Sequence, residues 1–193
     1  MNERQQLILD TAQKLFSEKG YAATGLREIA EKAGISIGNI YNYFKNKEEL
    51  FHRLLDPRII LDSMSDLPDI VQGGFPENMH ELIMHFKQII DDNFDLYRLI
   101  FIDLIEFHGA NTNRILESVI ELGRSVFFET LVEEPEKTGL KKLDYDLGIK
   151  LFVSAGASMF IINNILPSAS FKNYSDEEVS SIISSILLHG IAK

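Results

Sequence analysis

The sequence predicts an all-α protein of about nine helices, three short ones at the N-terminus and six after them. Two observations predict it. Apolar side chains recur at three- to four-residue spacing along nearly the whole chain, and no segment shows the strict alternation of a half-buried strand. The stripes are interrupted at Gly, Pro, Asn and Ser, the residues that end or cap helices. At 193 residues, 45% hydrophobic and 25% charged, the chain has enough apolar material for a packed core without covalent staples.

The first helix is expected from about Glu3 to Lys19, with Ile8, Ala12, Leu15 and Phe16 on one face and Gly20 where a helix stops. A short second helix, about Leu26 to Lys32, turns Leu26, Ile29, Ala30 and Ala33 inward and ends at Gly34. Ser36 is placed to cap a third helix running through Phe44. Asn46 is placed to cap a long fourth helix, read through to about Met64, whose early acids Glu48 and Glu49 suit a helix N-terminus. Ser65 to Gly74 is the clearest loop, and Pro76 suits the start of the next helix, which carries Met79, Leu82, Ile83, Phe86, Ile90 and Phe94. An apolar segment from Leu96 to Phe107 stops at Gly109, and Asn111 or Asn113 then caps a helix reaching Pro135. After a loop at 136–142, a helix from about Asp144 to Leu166 is stopped by Pro167. Ser175 and Glu178 form a capping box for the last helix, striped by Val179, Ile182, Ile183, Ile186, Leu187 and Ile191.

The absence of cysteine excludes disulfides, zinc–thiolate sites and thiol catalysis. The opening residues lead into an amphipathic stretch broken by Asp10, Lys14 and Glu18, not into the apolar run of a secretion signal. The most apolar run, Met159-Phe160-Ile161-Ile162, is closed by Asn163 and Asn164 and is too short to span a bilayer. These features lead us to expect a cytoplasmic protein with no membrane partner. The net charge of −10 is unevenly spread. Residues 1–47 hold seven Lys/Arg against five acids, leaving +2, whereas the remaining 146 hold twelve against twenty-four, leaving −12. Any contact with a polyanion is therefore confined to the head.

The first fifty residues are the informative part. Two short helices joined by Gly34-Ile35-Ser36 make a helix-turn-helix, whose second helix enters the major groove of DNA. That helix turns Ile40 and Phe44 inward and presents Ile37, Gly38, Asn39, Tyr41, Asn42 and Tyr43, a face without an acid. Tyr hydroxyls and Asn amides reach phosphates or base edges, and Gly38 lets backbone come close. Lys45 and Lys47 follow as phosphate contacts.

The runs Gly20–Thr24, Leu26–Ala30, Ala33–Ser36 and Gly38–Leu50 resemble the DNA-binding signature of the TetR family almost end to end, over the first quarter of the chain. The helical remainder is similar to that family's ligand-binding and dimerisation body in helix number and length. The resemblance implies a DNA-binding domain at 1–47 and a ligand-binding and dimerisation domain at 48–193. It implies that Thr24 and Arg27 touch phosphate, with a base also within reach of Arg27. Ile37, Gly38, Asn39 and Asn42 then face the major groove beside Ser36, and Tyr41, Tyr43 and Lys47 hold the DNA backbone. Ile37 stands where the family often has Lys or a polar residue, and Tyr43 where it commonly has His. Both departures bear on base preference, not on the docking mode.

In the body, Phe101, Phe107, Phe127, Phe128, Phe152, Met159 and Phe160 are candidates to line a ligand cavity, with His108, Asn163 and Asn164 to orient a guest. Ser154-Ala155-Gly156-Ala157-Ser158 allows close helix approach and suits a homodimer face. Arg27 has an alternative partner in Glu31, one turn on. His80 and His85, five apart, lack the spacing of metal ligands and read as surface groups; no metal or cofactor is expected. Asp103 and Glu106 with Arg98 read as a solvated stripe, the alternative being a partly buried acid that senses a cationic ligand.

No Gly-rich phosphate loop, metal spacing or nucleophile elbow nominates a catalytic group, so no enzyme is expected. A protein-interaction module would leave the acid-free third helix unexplained. The reading is a regulator that binds double-stranded operator DNA as a homodimer, a repressor released by a small, largely apolar effector.

Overall fold

The computed structural model describes residues 2–128, positions 150, 154, 158, 160 and 161, and residues 173–191. Among the described residues every regular element is helical. No helix among them is long and apolar enough to cross a membrane. The chain divides into two compact units, residues 1–60 with 93–116, and 61–92 with 117–193.

In the first unit, α1 spans Glu3–Lys19 and α2 spans Leu26–Lys32. The α1 start is capped by Asn2, whose side chain accepts from the Gln5 N–H at 2.8 Å. Ile8, Ala12, Leu15 and Phe16 are buried as their spacing requires, and Ile29 and Ala30 of α2 join them. Gly34 (φ +65°) makes the turn, with the Ile35 N–H donating back to the Ala30 carbonyl at 3.0 Å. Helix α3 is only Ile37–Tyr41, shorter than its expected extent to Phe44. Ser36 occupies the cap position but its side chain makes no capping bond. Asn42 and Tyr43 form a turn that drops Phe44 into the core beside Ile40.

Helix α4, Lys47–Leu54, is capped as expected by Asn46, which accepts from the Glu49 N–H at 2.7 Å. It does not continue to Met64. Pro57 has no N–H to give and disfavours a helical conformation at Asp56, so the chain breaks there and restarts as α5, Pro57–Asp62. Asp56 turns the corner by accepting from the Arg58 N–H at 3.1 Å and from its guanidinium at 2.9 and 2.6 Å. The Arg58 side-chain hydrogen bonds hold the Asp56 carboxyl down at about 2.

Helices α8 (Phe94–Glu106) and α9 (Ala110–Phe128) meet at a corner made by His108 (φ +54°) and Gly109 (φ +74°). Helix α8 packs on α1. Asp103 is fully buried, not part of a solvated stripe, whereas Arg98 and Glu106 are exposed. Its carboxylate accepts from the N–H groups of Asn111 (3.1 Å) and Thr112 (2.8 Å), the Asn111 amide (2.8 Å) and the Thr112 hydroxyl (2.7 Å). The start of α9 is therefore held by an acid from the preceding helix, not by Asn111 or Asn113 acting as its cap.

In the second unit the expected loop at 65–74 contains a short helix, α6, Leu67–Gln72, which buries Leu67 and Val71. Helix α7 runs Met79–Asp92, starting three residues after Pro76. It packs against α6 and against the last helix, α10, Asp176–Ile191. The capping box forms as expected, with Ser175 N–H to Glu178 at 2.7 Å and Glu178 N–H to the Ser175 hydroxyl at 3.1 Å. The Ser180 hydroxyl donates to the His80 carbonyl at 3.2 Å, and Lys87 pairs with Asp176 at 3.0 Å. His85 is not a surface group: it is largely buried, with Nε2 3.1 Å from Asp66.

Candidate nucleic-acid interface

Helix α3 owes its placement to Ile40 and Phe44, which anchor it while the opposite side stays open. Ser36, Gly38, Tyr41 and Asn42 are exposed, and Ile37, Asn39 and Tyr43 are half-buried. No acid stands between residues 32 and 47, so this face carries no charge that would repel phosphate. A Cβ added at Gly38 would meet only the Ser36 hydroxyl, at 3.7 Å, so internal packing does not require glycine there. The Tyr43 hydroxyl accepts from the Asn2 amide at 3.0 Å, which fixes the ring against the start of α1.

Arg27 is exposed on α2 and makes no ion pair with Glu31; its neighbour Glu28 is instead paired with Lys19. Thr24 lies buried, and its hydroxyl donates to the Gly20 carbonyl at 2.9 Å, so its proton closes the α1–α2 turn in the free protein. Lys47 is half-buried. Its ammonium donates to the carbonyls of Tyr21 (2.8 Å) and Thr24 (3.0 Å) and lies 4.1 Å from the centre of the Tyr21 ring. Lys45, two residues before it, is exposed.

Sequence reasoning missed what stands behind this surface. Tyr21 meets Phe16, Phe51 and Phe107 with ring centres 5.5, 5.1 and 4.9 Å away, and Phe107 stacks on Phe51 at 5.0 Å. Burial, then the nearby charges of Glu48 and Glu106, push the Tyr21 phenol up. His52 Nδ1 stands 2.6 Å from the Asn111 amide nitrogen, which must donate to it. That leaves the imidazole proton on Nε2, 3.3 Å from Glu48. The available signal was Asp103 itself, a charge inside an apolar helix.

The residues expected around a ligand are distributed over both units. Phe101, Phe107 and His108 belong to the first, where Phe101 and His108 are exposed and Phe107 lies in the aromatic cluster. Phe127 and Phe160 belong to the second and are buried, Phe127 meeting Phe75 edge-on at 5.1 Å. Phe152, Met159, Asn163 and Asn164, the Phe128 side chain and the centre of the Ser154–Ser158 run lie outside the described residues. A groove of about 360 Å³ beside Tyr43 is lined by charges of both signs, among them Glu49, Arg53, Asp56 and Arg114, and is not an apolar cavity.

Comparison with known proteins agrees with this geometry. Residues 8–54 match the family model described as bacterial regulatory proteins, tetR family. The chain is 28% identical over 164 residues to the HTH-type transcriptional regulator YhgD of Bacillus subtilis, covering 79% of this chain and 82% of that one. It is 32% identical over 99 residues to the HTH-type transcriptional repressor KstR2 of Mycobacterium tuberculosis, but the match spans only half of that protein and 47% of this one. Its fold is shared with the fatty acid degradation regulator FadR from Bacillus halodurans, at a TM-score of 0.77 and 18% identity, over 97% of this chain and 96% of that one. The helix-turn-helix lies inside the matched segment, so residues 8–54 are a DNA-binding segment of the tetR family of bacterial regulatory proteins, and the chain shares the fold of solved regulators of that kind.

Proposed function

We propose that the protein is a repressor that binds its operator as a homodimer and is released by a small, largely apolar ligand. The observation that carries the DNA side is the open, acid-free face of α3, where glycine stands at position 38 without any internal need for it. In this reading residues 1–47 contact DNA, with Ser36, Ile37, Gly38, Asn39 and Asn42 toward base edges and Arg27, Tyr41 and Tyr43 on the phosphates. Residues 48–193 carry the ligand and the dimer contact. That the relative KstR2 is a repressor supports the direction of control. Exposed Ile182 and Ile186 on α10, together with the small-residue run at 154–158, support pairing of two subunits through their last helices. A dimer is needed because two recognition helices must reach major grooves about 34 Å, or a multiple of it, apart.

Gly38→Ala tests the DNA face with two readouts of opposite sign. Alanine in a helix is favoured over glycine by roughly 1 kcal/mol, so unfolding in urea should show an equal or more stable protein. Binding to a duplex selected from a random pool should weaken, because the methyl group holds backbone away from the groove. Unchanged binding would remove Gly38 from the interface.

The effector side is tested by reciprocity. A library of small apolar molecules is screened for release of that duplex, and the best releasing compound is titrated with and without DNA. Release by tenfold corresponds to about 1.4 kcal/mol of differential binding, and linkage requires the duplex to weaken the compound by the same factor. Equal affinities in the two titrations would make the compound a passenger.

A further inference from the structure

We propose that Lys47 is a positioning residue that pins the α1–α2 turn, and that it does not serve as a phosphate contact. The inference rests on the reading of α3 and its flanks as the DNA face. An ammonium has three N–H bonds to give. In Lys47 two are spent on the carbonyls of Tyr21 and Thr24, at 2.8 and 3.0 Å, and the third side of the nitrogen faces the Tyr21 ring at 4.1 Å. No donor is left for a phosphate oxygen.

The position is otherwise unfavourable for a cation. Lys47 is the first residue of α4, directly after the Asn46 cap, where the helix presents its positive end. Two carbonyl oxygens reached across 26 and 23 residues of chain offset that repulsion. What they hold is the segment from which α2 starts. Thr24 closes one side of this turn onto Gly20, and Lys47 closes the other. Helix α2 follows from Gly25, a cap residue with no side-chain hydrogen bond of its own, and Arg27 is its second residue. Without Lys47 the start of α2 loses its tie to α4, and the spacing between Arg27 and α3 loosens. Lys45 is the contrasting case: it is exposed, its ammonium makes no contact among the described residues, and it is free to reach phosphate.

The test uses the whole chain, a duplex selected from a random pool by the unmutated protein, and a random-sequence duplex of the same length. Binding is followed by fluorescence anisotropy over a KCl series for the unmutated protein, Lys47→Ala and Lys45→Ala. Each lysine that neutralises a phosphate contributes about 0.9 to the slope of log affinity against log salt. Lys45→Ala is expected to flatten the slope by that amount per lysine lost. Lys47→Ala is expected to leave the slope unchanged while weakening the selected duplex by roughly tenfold, the scale of one lost base-edge contact. Its affinity for the random duplex is expected to hold, so the ratio of selected to random falls. A residue serving stability alone would lower the melting temperature and leave that ratio intact.

A second measurement needs no variant. Under trace acetylation, Lys45 should label readily in the free protein and be shielded by the duplex, and Lys47 should label slowly in both states. A flattened slope in Lys47→Ala, an unchanged ratio, or a Lys47 that labels like Lys45 and is shielded by DNA would each overturn the proposal. Failure of Lys45 to respond to DNA would instead move the DNA face elsewhere. The pin would then be judged by Lys47 labelling in the free protein.

Discussion

Replacing Asp103 by alanine is expected to destabilise the protein by about 3–5 kcal/mol, because several buried donors are orphaned at once at about 1–3 kcal/mol each. The carboxylate is fully buried and is the acceptor for four donors at the start of α9: two N–H groups, the Asn111 amide and the Thr112 hydroxyl. Truncation leaves these donors in a closed corner where water does not replace the lost oxygens, and each orphaned group carries its own desolvation cost. The Asn111 amide would also lose the partner that aims it at His52 on α4. Asp103→Asn keeps the shape but turns one amino group toward donors, so a smaller loss of about 1.5–3 kcal/mol is expected, the value of a charged hydrogen bond. Urea unfolding of both variants checks the order. If Asp103→Ala were within about 0.5 kcal/mol of the unmutated protein, the range of ordinary surface substitutions, the carboxylate would not be the anchor of this corner.

The elements that the sequence disclosed are those whose signal is local. Helices α1 and α2 end where Gly20 and Gly34 follow a complete apolar stripe, and both the Asn46 cap and the Ser175–Glu178 box are patterns within four consecutive residues. The α4 break was harder to see because apolar residues continue on both sides of Pro57, so periodicity argued for continuation while the proline argued against it. In the candidate site, the exposure of the α3 face followed from which two residues face inward. The settings of Asp103 and Lys47 did not, because their partners are mostly backbone groups. Asp103 bonds to N–H groups eight and nine residues ahead, and Lys47 to carbonyls more than twenty residues behind. Every residue owns such groups, so no side-chain pattern marks the acceptor or donor. A charge inside an apolar stripe shows only that something must satisfy it.

Phe51→Ala is expected to have an effect as large as that of Asp103→Ala and to reach further toward DNA. Phe51 is fully buried on α4 and touches three other rings: Phe16 of α1 edge-on at 5.5 Å, Tyr21 edge-on at 5.1 Å and Phe107 stacked at 5.0 Å. Those rings come from α1, the α1–α2 turn and the end of α8, so a single side chain closes one cluster from three separate stretches of chain. Removing a buried Phe costs about 3–5 kcal/mol, part lost transfer energy and part the cavity left behind. For a chain of this length each kcal/mol corresponds to roughly 2–4 °C, so the melting temperature should fall by roughly 6–20 °C. Phe51→Leu keeps most of the volume but not the flat face against Phe107 and should lose markedly less. Tyr21, whose carbonyl and ring both hold Lys47, then lacks its neighbour on one side. Phe51→Ala should therefore weaken binding to the selected duplex even at temperatures where circular dichroism shows it fully folded, and Phe51→Leu should bind closer to the unmutated protein. A Phe51→Ala variant that melts within 2 °C of the unmutated protein would mean that the ring cluster does not tie the head to α8.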